Sequence, residues 1–316
     1  MRIILWVNGA RAVGCMEALS KGPYSISLAV LHPKEESTWS QKLEDLAKKF
    51  HWKTIAPDNP NSEAVEELLK QQKADFFVLA GYGKILKSNI INIPKLMTIN
   101  LHGGKLPQYR GSSPMNWVLI NGEKSFTLSI IRVDEGIDSG NILLERTFPI
   151  SINDTIRELH TIANREFPGM LLETLSQIKE GSIDSKVQDP SRASYYPLRF
   201  PEDGLILWDR LKAEMIHNRI RALTTPYPGA FSFFNDKKVK LLASELNEFD
   251  YFGESGRIYQ KTQRGLLICA VDKCLWIKEA RFEEGGEPLQ NHVKRYDKLV
   301  TLGGLLLRGI YSGESA

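Results

Sequence analysis

Ala74-Asp-Phe-Phe-Val-Leu-Ala80 is the stretch on which the fold turns. Beyond Asp75 it is wholly apolar, with almost no alternation. A strand with one wet face alternates apolar and polar residues, whereas a strand covered on both faces reads as a continuous apolar run. Three other runs share this character: 2–7 (RIILWV), 25–31 (SISLAVL) and 96–101 (LMTINL). Between them, residues 11–21, 36–51 and 62–73 read as helices, the last with Ala64, Leu68 and Leu69 at helical spacing. Buried strands separated by helices predict a mostly parallel sheet covered on both faces, the doubly wound α/β architecture. Ligands of such sheets sit in the crevice beyond the carboxyl ends of the strands, which directs attention to the loops after residues 7, 80 and 101.

The second half has a different pattern. A helix is expected over 154–181, then a polar, Pro-containing segment over 182–203 and another helix over 209–222. Five short strand-like runs follow, at 230–234, 238–243, 256–260, 265–271 and 274–280, and predict a small barrel or sandwich. A chain of 316 residues is long enough for two domains. The boundary falls near 185–205, giving an α/β domain over 1–190 and a smaller β-rich domain over 191–316. The apolar tail 299–310 is expected to pack on the second domain or to form a dimer contact.

Composition narrows the class. With 42% hydrophobic residues the chain can bury a real core, which excludes wholesale disorder. No apolar run reaches the roughly 18 residues of a membrane span, and the first residues lack the layout of a signal peptide. Cys15, Cys269 and Cys274 form neither an even disulfide framework nor a CxxC pair, so a reducing, cytoplasmic setting is expected, with Cys269 and Cys274 as core thiols. The net charge of +3, without a charged tail, demands no nucleic acid. His32, His51, His160, His217 and His292 show no ligand spacing, so no metal is expected.

The densest unusual stretch is Asn100-Leu-His-Gly-Gly-Lys-Leu-Pro-Gln-Tyr-Arg-Gly-Ser-Ser-Pro114, directly after a predicted core strand. Its glycines permit close backbone approach and its prolines fix an irregular path. A lone His here would read as structural. Asn100 and His102, however, stand two apart along a strand and therefore share a face. Val133-Asp-Glu-Gly-Ile-Asp-Ser-Gly140 follows the strand-like run 126–133 and, taken locally, fits an Asp/Gly turn.

Asn-Leu-His at 100–102, Leu-Pro-x-Tyr-Arg-Gly at 106–111 and Gly-Ile-Asp-Ser-Gly at 136–140 together resemble the formyltransferase family that uses 10-formyltetrahydrofolate. Methionyl-tRNA formyltransferase and the sugar N-formyltransferases belong to it. The separation of His102 from Asp138, 36 residues, fits the family. Tyr196–Gly204, Trp208 and Pro226–Ala230 resemble its entry into a C-terminal domain. Gly104-Lys105-Leu106-Pro107 departs from the Ser-Leu-Leu-Pro of most relatives, which changes the loop's contacts without touching the three polar residues. The resemblance implies a Rossmann-like catalytic domain followed by an OB-like one.

Formyl transfer to an amine is acyl transfer. It needs a donor for an oxyanion, a group that moves protons near neutrality and a carboxylate that orients it. By resemblance Asn100, His102 and Asp138 fill these places. The folate, 10-formyltetrahydrofolate, is expected against Tyr82, Gly83, Lys84, Ile85 and Leu86 on one side and Asp134, Gly136 and Ile137 on the other. Tyr82 and Ile85 are candidates to wall the pterin, with ordinary packing the competing role for Ile85.

Two features bear on the amine. Residues 201–316 carry 17 Lys/Arg against 16 Asp/Glu, which is no basic clamp for tRNA. The loop His32–Gln41 is compact and mixed in charge, where the tRNA enzyme carries a longer basic insertion. Asn8-Gly-Ala-Arg-Ala-Val-Gly14 leads into a helix whose N-terminus suits phosphate. The expected substrate is therefore a UDP- or dTDP-linked amino-dideoxy sugar, contacted by Gly9, Arg11, Lys105, Tyr109 and Arg110, in a cytoplasmic homodimer with no nucleic-acid or membrane partner. Tyr109, Trp117 and Trp208 are candidates to face sugar or base, with core packing the alternative for Trp117. Methionyl-tRNA formyltransferase is the runner-up. A non-catalytic folate- or nucleotide-binding protein and a formate-releasing hydrolase are the readings from other classes.

Overall fold

The computed structural model describes residues 1–304; residues 305–310 of the apolar tail lie outside the described residues. In chain order the elements are β1 (Arg2–Val7), α1 (Gly9–Lys21), β2 (Ser25–Val30), α2 (Ser40–Lys49), β3 (Thr54–Ile55), α3 (Glu63–Gln71), β4 (Phe76–Ala80), α4 (Ser88–Ile91), β5 (Met97–His102), β6 (Arg110–Gly111), α5 (Pro114–Ile120), β7 (Ser125–Arg132), β8 (Ile142–Pro149), α6 (Ile156–Glu180), β9 (Tyr195–Tyr196), α7 (Ala213–Leu223), β10 (Ala230–Phe234), β11 (Lys237–Leu246), β12 (Ile258–Thr262), β13 (Gly265–Cys269) and β14 (Cys274–Phe282). Contacts cluster them into two units. One comprises residues 1–114, 125–148 and 160–197; the other takes 115–124, 149–159 and 198 onward.

The first unit is built on a seven-stranded sheet of order β3-β2-β1-β4-β5-β7-β8. β1 pairs in parallel with β2 and β4, and β4 with β5, while β7 runs antiparallel to β5. The order reverses between β1 and β4, so the topological switch lies at the ends of those strands. Every residue of β4 is buried, as its unbroken apolar sequence requires. Trp6, Phe77, Leu79, Tyr82 and Leu86 pack in one cluster on which Val133 also rests. α1 buries Ala12, Cys15, Met16 and Leu19, the i, i+3, i+4, i+7 stripe of an amphipathic helix. At Gly14 a Cβ would stand 2.9 Å from the Pro168 ring, so only glycine allows α6 to lie so close.

α2 starts at Ser40 rather than near residue 36. The segment before it is committed elsewhere: Ser37 Oγ donates to Asn8 Oδ1, Ser40 Oγ donates to the His32 carbonyl, and Glu36 pairs with Lys84. The first and third of these bonds fasten the compact loop after β2 to the loops after β1 and β4.

The second unit carries one antiparallel sheet of order β10-β11-β14-β13-β12, rather than the two layers of a sandwich. α7 packs its buried face within this unit: Arg221 donates to the carbonyls of Ser151 and Asp154, and His217 Nε2 meets that of Ile152. Trp208 does not face a ligand. It is fully buried, with Nε1 donating to Ser232 Oγ. Cys269 and Cys274 correct the expected pair of core thiols: they are disulfide-bonded, because the β13–β14 register sets them directly opposite each other. No helix among the described residues is long and apolar enough to cross a membrane.

Candidate active site

β5 delivers the first two polar residues. Asn100 and His102 end this strand with one residue between them, so both face the same side. His102 is buried, and its Nε2 lies 2.6 Å from the main-chain oxygen of Tyr109. A carbonyl oxygen only accepts, so Nε2 carries the proton and Nδ1 is the nitrogen left for chemistry. Nδ1 points to Asp138, 3.5 Å from Oδ2. Asn100 Nδ2 reaches Asp138 Oδ1 at 3.4 Å.

Asp138 comes from the loop between β7 and β8, where it holds a left-handed φ of 49°. The main-chain N–H of Gly111 donates to its Oδ2 at 2.9 Å. Two separated segments, β5 and β6, thus converge on the carboxylate of a third. Ser129, the cross-strand partner of His102, supports the arrangement by donating from Oγ to the Gly104 carbonyl at 2.9 Å.

Tyr109 stacks on Tyr196, ring centroids 4.9 Å apart and 9° from parallel. Arg110 is buried and donates through Nε and Nη2 to Gln188 Oε1 and through Nη1 to the Tyr195 hydroxyl. Lys105 is exposed.

The loops after β1 and β4 meet at the topological switch. The Asn8 N–H donates to the Ala80 carbonyl, and Gly81, at φ 81°, lies against Asn8 so closely that a Cβ would collide with its carbonyl oxygen. Gly9 opens α1 at φ 75°, with open space where a Cβ would stand. Arg11, in the first turn of that helix, is engaged within the fold. Its Nη1 donates to the Leu101 carbonyl at 2.7 Å, and its guanidinium lies 4.5 Å from the Phe167 ring centroid.

Two loops expected to hold the cofactor border the same apolar cluster, through Tyr82 and Leu86 on one side and Val133 on the other. Tyr82 and Ile85, both candidates to wall the pterin, differ in burial. Tyr82 is buried beneath the loop, its hydroxyl without a partner, whereas Ile85 is 74% exposed instead of packed. Ile137 is likewise half exposed. Asp134 Oδ1 accepts from Gly136 N–H and Ser139 Oγ, which shapes the turn ahead of Asp138.

His32 holds the loop after β4. Its ring lies 4.3 Å from that of Tyr82, its Nε2 accepts from the Gly83 N–H at 3.1 Å, and its Nδ1 faces Glu36 at 3.4 Å. Burial pushes its pKa below the ordinary value, against the opposing pull of Glu36. Lys84 completes the cluster by bonding Glu36 and the Asp58 carbonyl. Gln188 was not apparent from the sequence, since no spacing ties it to the motifs; Tyr196 entered only as the start of the stretch Tyr196–Gly204, and His32 only as the first residue of the compact loop.

A doubly wound sheet with Asn, His and Asp side chains gathered at its carboxyl edge is the layout of an α/β enzyme. Residues 17–175 match the family described as Formyl transferase, and residues 200–290 match its C-terminal domain. The methionyl-tRNA formyltransferase of Ruminiclostridium cellulolyticum is 31% identical over 290 residues, covering 90% of this chain and 92% of that protein. The bifunctional polymyxin resistance protein ArnA of Wigglesworthia glossinidia brevipalpis is 38% identical over 287 residues, 90% of this chain but 43% of its own length. An N-formyltransferase from Helicobacter canadensis, solved with folinic acid and dTDP-3-aminofucose, superimposes with a TM-score of 0.68 at 21% identity, covering 87% of this chain and 97% of that one. This chain belongs to the formyl transferase family and is a formyltransferase.

Proposed function

We propose that the protein moves a formyl group from 10-formyltetrahydrofolate to the amine of a UDP- or dTDP-linked amino-dideoxy sugar. In this reading the neutral amine attacks the formyl carbon, a C–N bond forms, the bond to the folate nitrogen breaks, and the proton lost by the amine is replaced by one given to that nitrogen. Asn100 Nδ2 has a second hydrogen for the developing oxyanion beyond the one directed at Asp138. His102 takes the amine proton at Nδ1, and the Asp138 carboxylate accepts a hydrogen bond from the Nδ1–H so formed and stabilises the imidazolium.

The folate fits the loops 81–86 and 134–138. They present Ile85 and Ile137 to solvent over a shared apolar cluster, and Tyr82 has a buried hydroxyl still lacking a partner. The bound cosubstrate supplies the activated formyl group. The Gly83 N–H is taken by His32, so the loop carbonyls and the remaining main-chain N–H groups would meet a pterin edge. Gly9, at the N-terminus of α1, is proposed to face the nucleotide phosphates, with Lys105 exposed beside the His102 loop to meet the same anion.

The observation that carries the small substrate is the state of the cations on the five-stranded sheet. Lys238 and Lys240 pair with Glu283, Arg264 and Lys278 with Glu245, Lys273 with Asp250, and Arg281 with Glu279. A tRNA clamp needs cations free to displace counterions from phosphates, and these six already face four carboxylates, which offset most of their charge. One observation favours the second reading, methionyl-tRNA: the relative that is 31% identical along nearly its whole length carries that name. Incubation with 10-formyltetrahydrofolate, a panel of UDP- and dTDP-linked amino sugars and Met-tRNA distinguishes them, with formyl product and free formate both measured. The proposal expects a formyl-sugar as the main product. Higher kcat/KM on Met-tRNA than on every sugar overturns it, and formate release without transfer points to a hydrolase.

A further inference from the structure

Residues 186–196 fall between the two family matches, which end at 175 and resume at 200. They belong to the polar, Pro-containing segment near the expected boundary, and in the fold they clasp both loops that build the site. Lys186 exchanges both main-chain hydrogen bonds with Ile142, each 2.8 Å, at the far end of the Asp138 loop. Ser194 N–H donates to the Pro107 carbonyl, Arg110 N–H to the Ser194 carbonyl, and Ser112 N–H to the Tyr196 carbonyl, so β9 forms a two-stranded parallel ribbon with β6. Gln188 stands between these two attachments.

Gln188 is 5% exposed, and its amide is saturated. Nε2 donates to the main-chain carbonyl of Asp138 at 2.8 Å and to that of Gly140 at 2.7 Å. Oε1 accepts from Arg110 Nε at 3.0 Å and from Nη2 at 2.8 Å. One side chain therefore ties the backbone under the carboxylate to the strand whose next residue, Gly111, donates to Asp138 Oδ2. Asp138 needs this restraint. A non-glycine residue at positive φ is uncommon and holds that conformation only when its surroundings fix it, and its carboxylate has to stay beside His102 Nδ1 for their pairing to work.

We propose that Gln188 is a positioning residue, which, together with Arg110, holds Asp138 in register with His102. The proposal rests on the role given above to Asp138. It also reassigns Arg110 from substrate contact to scaffold, since Nε, Nη1 and Nη2 are all engaged inside the clasp.

The test uses the full chain labelled with ¹⁵N at histidine, and two variants. Gln188→Met keeps the volume and loses every hydrogen bond. Gln188→Glu keeps an acceptor for Arg110 and sets a carboxylate oxygen against the carbonyls of 138 and 140, so it remains informative if the Met variant does not fold. Asp138→Asn provides the reference signal for a His102 ring that has lost its carboxylate, and His102→Gln assigns that ring. In each folded Gln188 variant the His102 Nδ1 resonance is expected to move toward its Asp138→Asn position, and the double variant Asp138→Asn/Gln188→Glu to move it no further. With 10-formyltetrahydrofolate and the best amine, kcat is expected to drop at least tenfold while KM for both substrates stays within threefold. A merely structural Gln188 lowers the melting temperature and leaves the Nδ1 resonance of the folded protein in place; that outcome overturns the proposal. If the wild-type protein formylates no amine, the proposed function fails on its own, and the resonance still decides whether Gln188 positions Asp138.

Discussion

The imidazole Nε2 of His102 lies 2.6 Å from the carbonyl oxygen of Tyr109. That contact selects the tautomer and turns Nδ1 toward Asp138. Removing either side of the Nδ1 pairing is therefore expected to cost far more in turnover than in folding. His102→Ala, Asp138→Ala and Asn100→Ala are each expected to lower kcat about 10²-fold or more, the usual loss for acid–base or oxyanion groups. Steady-state kinetics on variants with wild-type circular dichroism check this, and near-normal turnover in His102→Ala would show that the ring takes no part.

Gly111 tests the backbone side of the same site. Its φ is 98°, and a Cβ there would run into the carbonyl oxygen of Tyr196. The residue also gives its N–H to Asp138 Oδ2. Gly111→Ala is expected to destabilise the protein by about 1–3 kcal/mol, because strain and displaced pairing act together. It is also expected to lower kcat. Urea unfolding alongside kinetics reads both effects, and an unchanged midpoint with unchanged turnover contradicts the tight ribbon between β6 and β9.

His32 predicts a pH dependence for the folate loop. Its Nε2 must stay unprotonated to accept from the Gly83 N–H, and burial holds its pKa below the ordinary 6.5. The loop contact is therefore intact above that value and weakens as pH falls through the depressed one. KM for 10-formyltetrahydrofolate is expected to rise on the acid side in the wild type. In His32→Gln, whose side chain accepts a hydrogen bond without titrating, it should vary much less. Equal acid dependence in both proteins removes His32 from the explanation.

His160 carries a stability prediction. Burial first, and the nearby Arg11 charge second, push its pKa down to about 4 from 6.5. The unfolded chain then binds the proton more readily between those values, so stability falls as pH drops from 6.5 toward 4 and is unaffected by this group above 6.5. The contribution lost amounts to at most about 3 kcal/mol. Comparing wild type with His160→Gln by chemical denaturation at several pH values isolates it from carboxylate titration. Parallel stability curves for the two proteins rule it out.

Much of this fold was legible because its strands are covered on both faces. Burial of β1 and β4 on two sides forces continuous apolar sequence, and that signal is local. The start of α2 was not legible, since the turn before it is bent by Ser37, Glu36 and Ser40 bonding to residues distant in sequence. Which of Tyr82 and Ile85 is buried was not legible for a similar reason. Both are large and largely apolar, and only the packing of Tyr82 against Trp6 and His32 decides which one turns inward.

The sequence by itself determined that Asn100 and His102 share a face, because a strand repeats every two residues and the pair ends one. It also determined, through its motifs, which third residue to look for. Tertiary structure alone decided how Asp138 arrives and stays. Its left-handed backbone goes with two long-range hydrogen bonds, from the Gly111 N–H to its carboxylate and from the Gln188 amide to its carbonyl. Such bonds depend on where loops land after the sheet has formed, and they leave no periodicity in the chain.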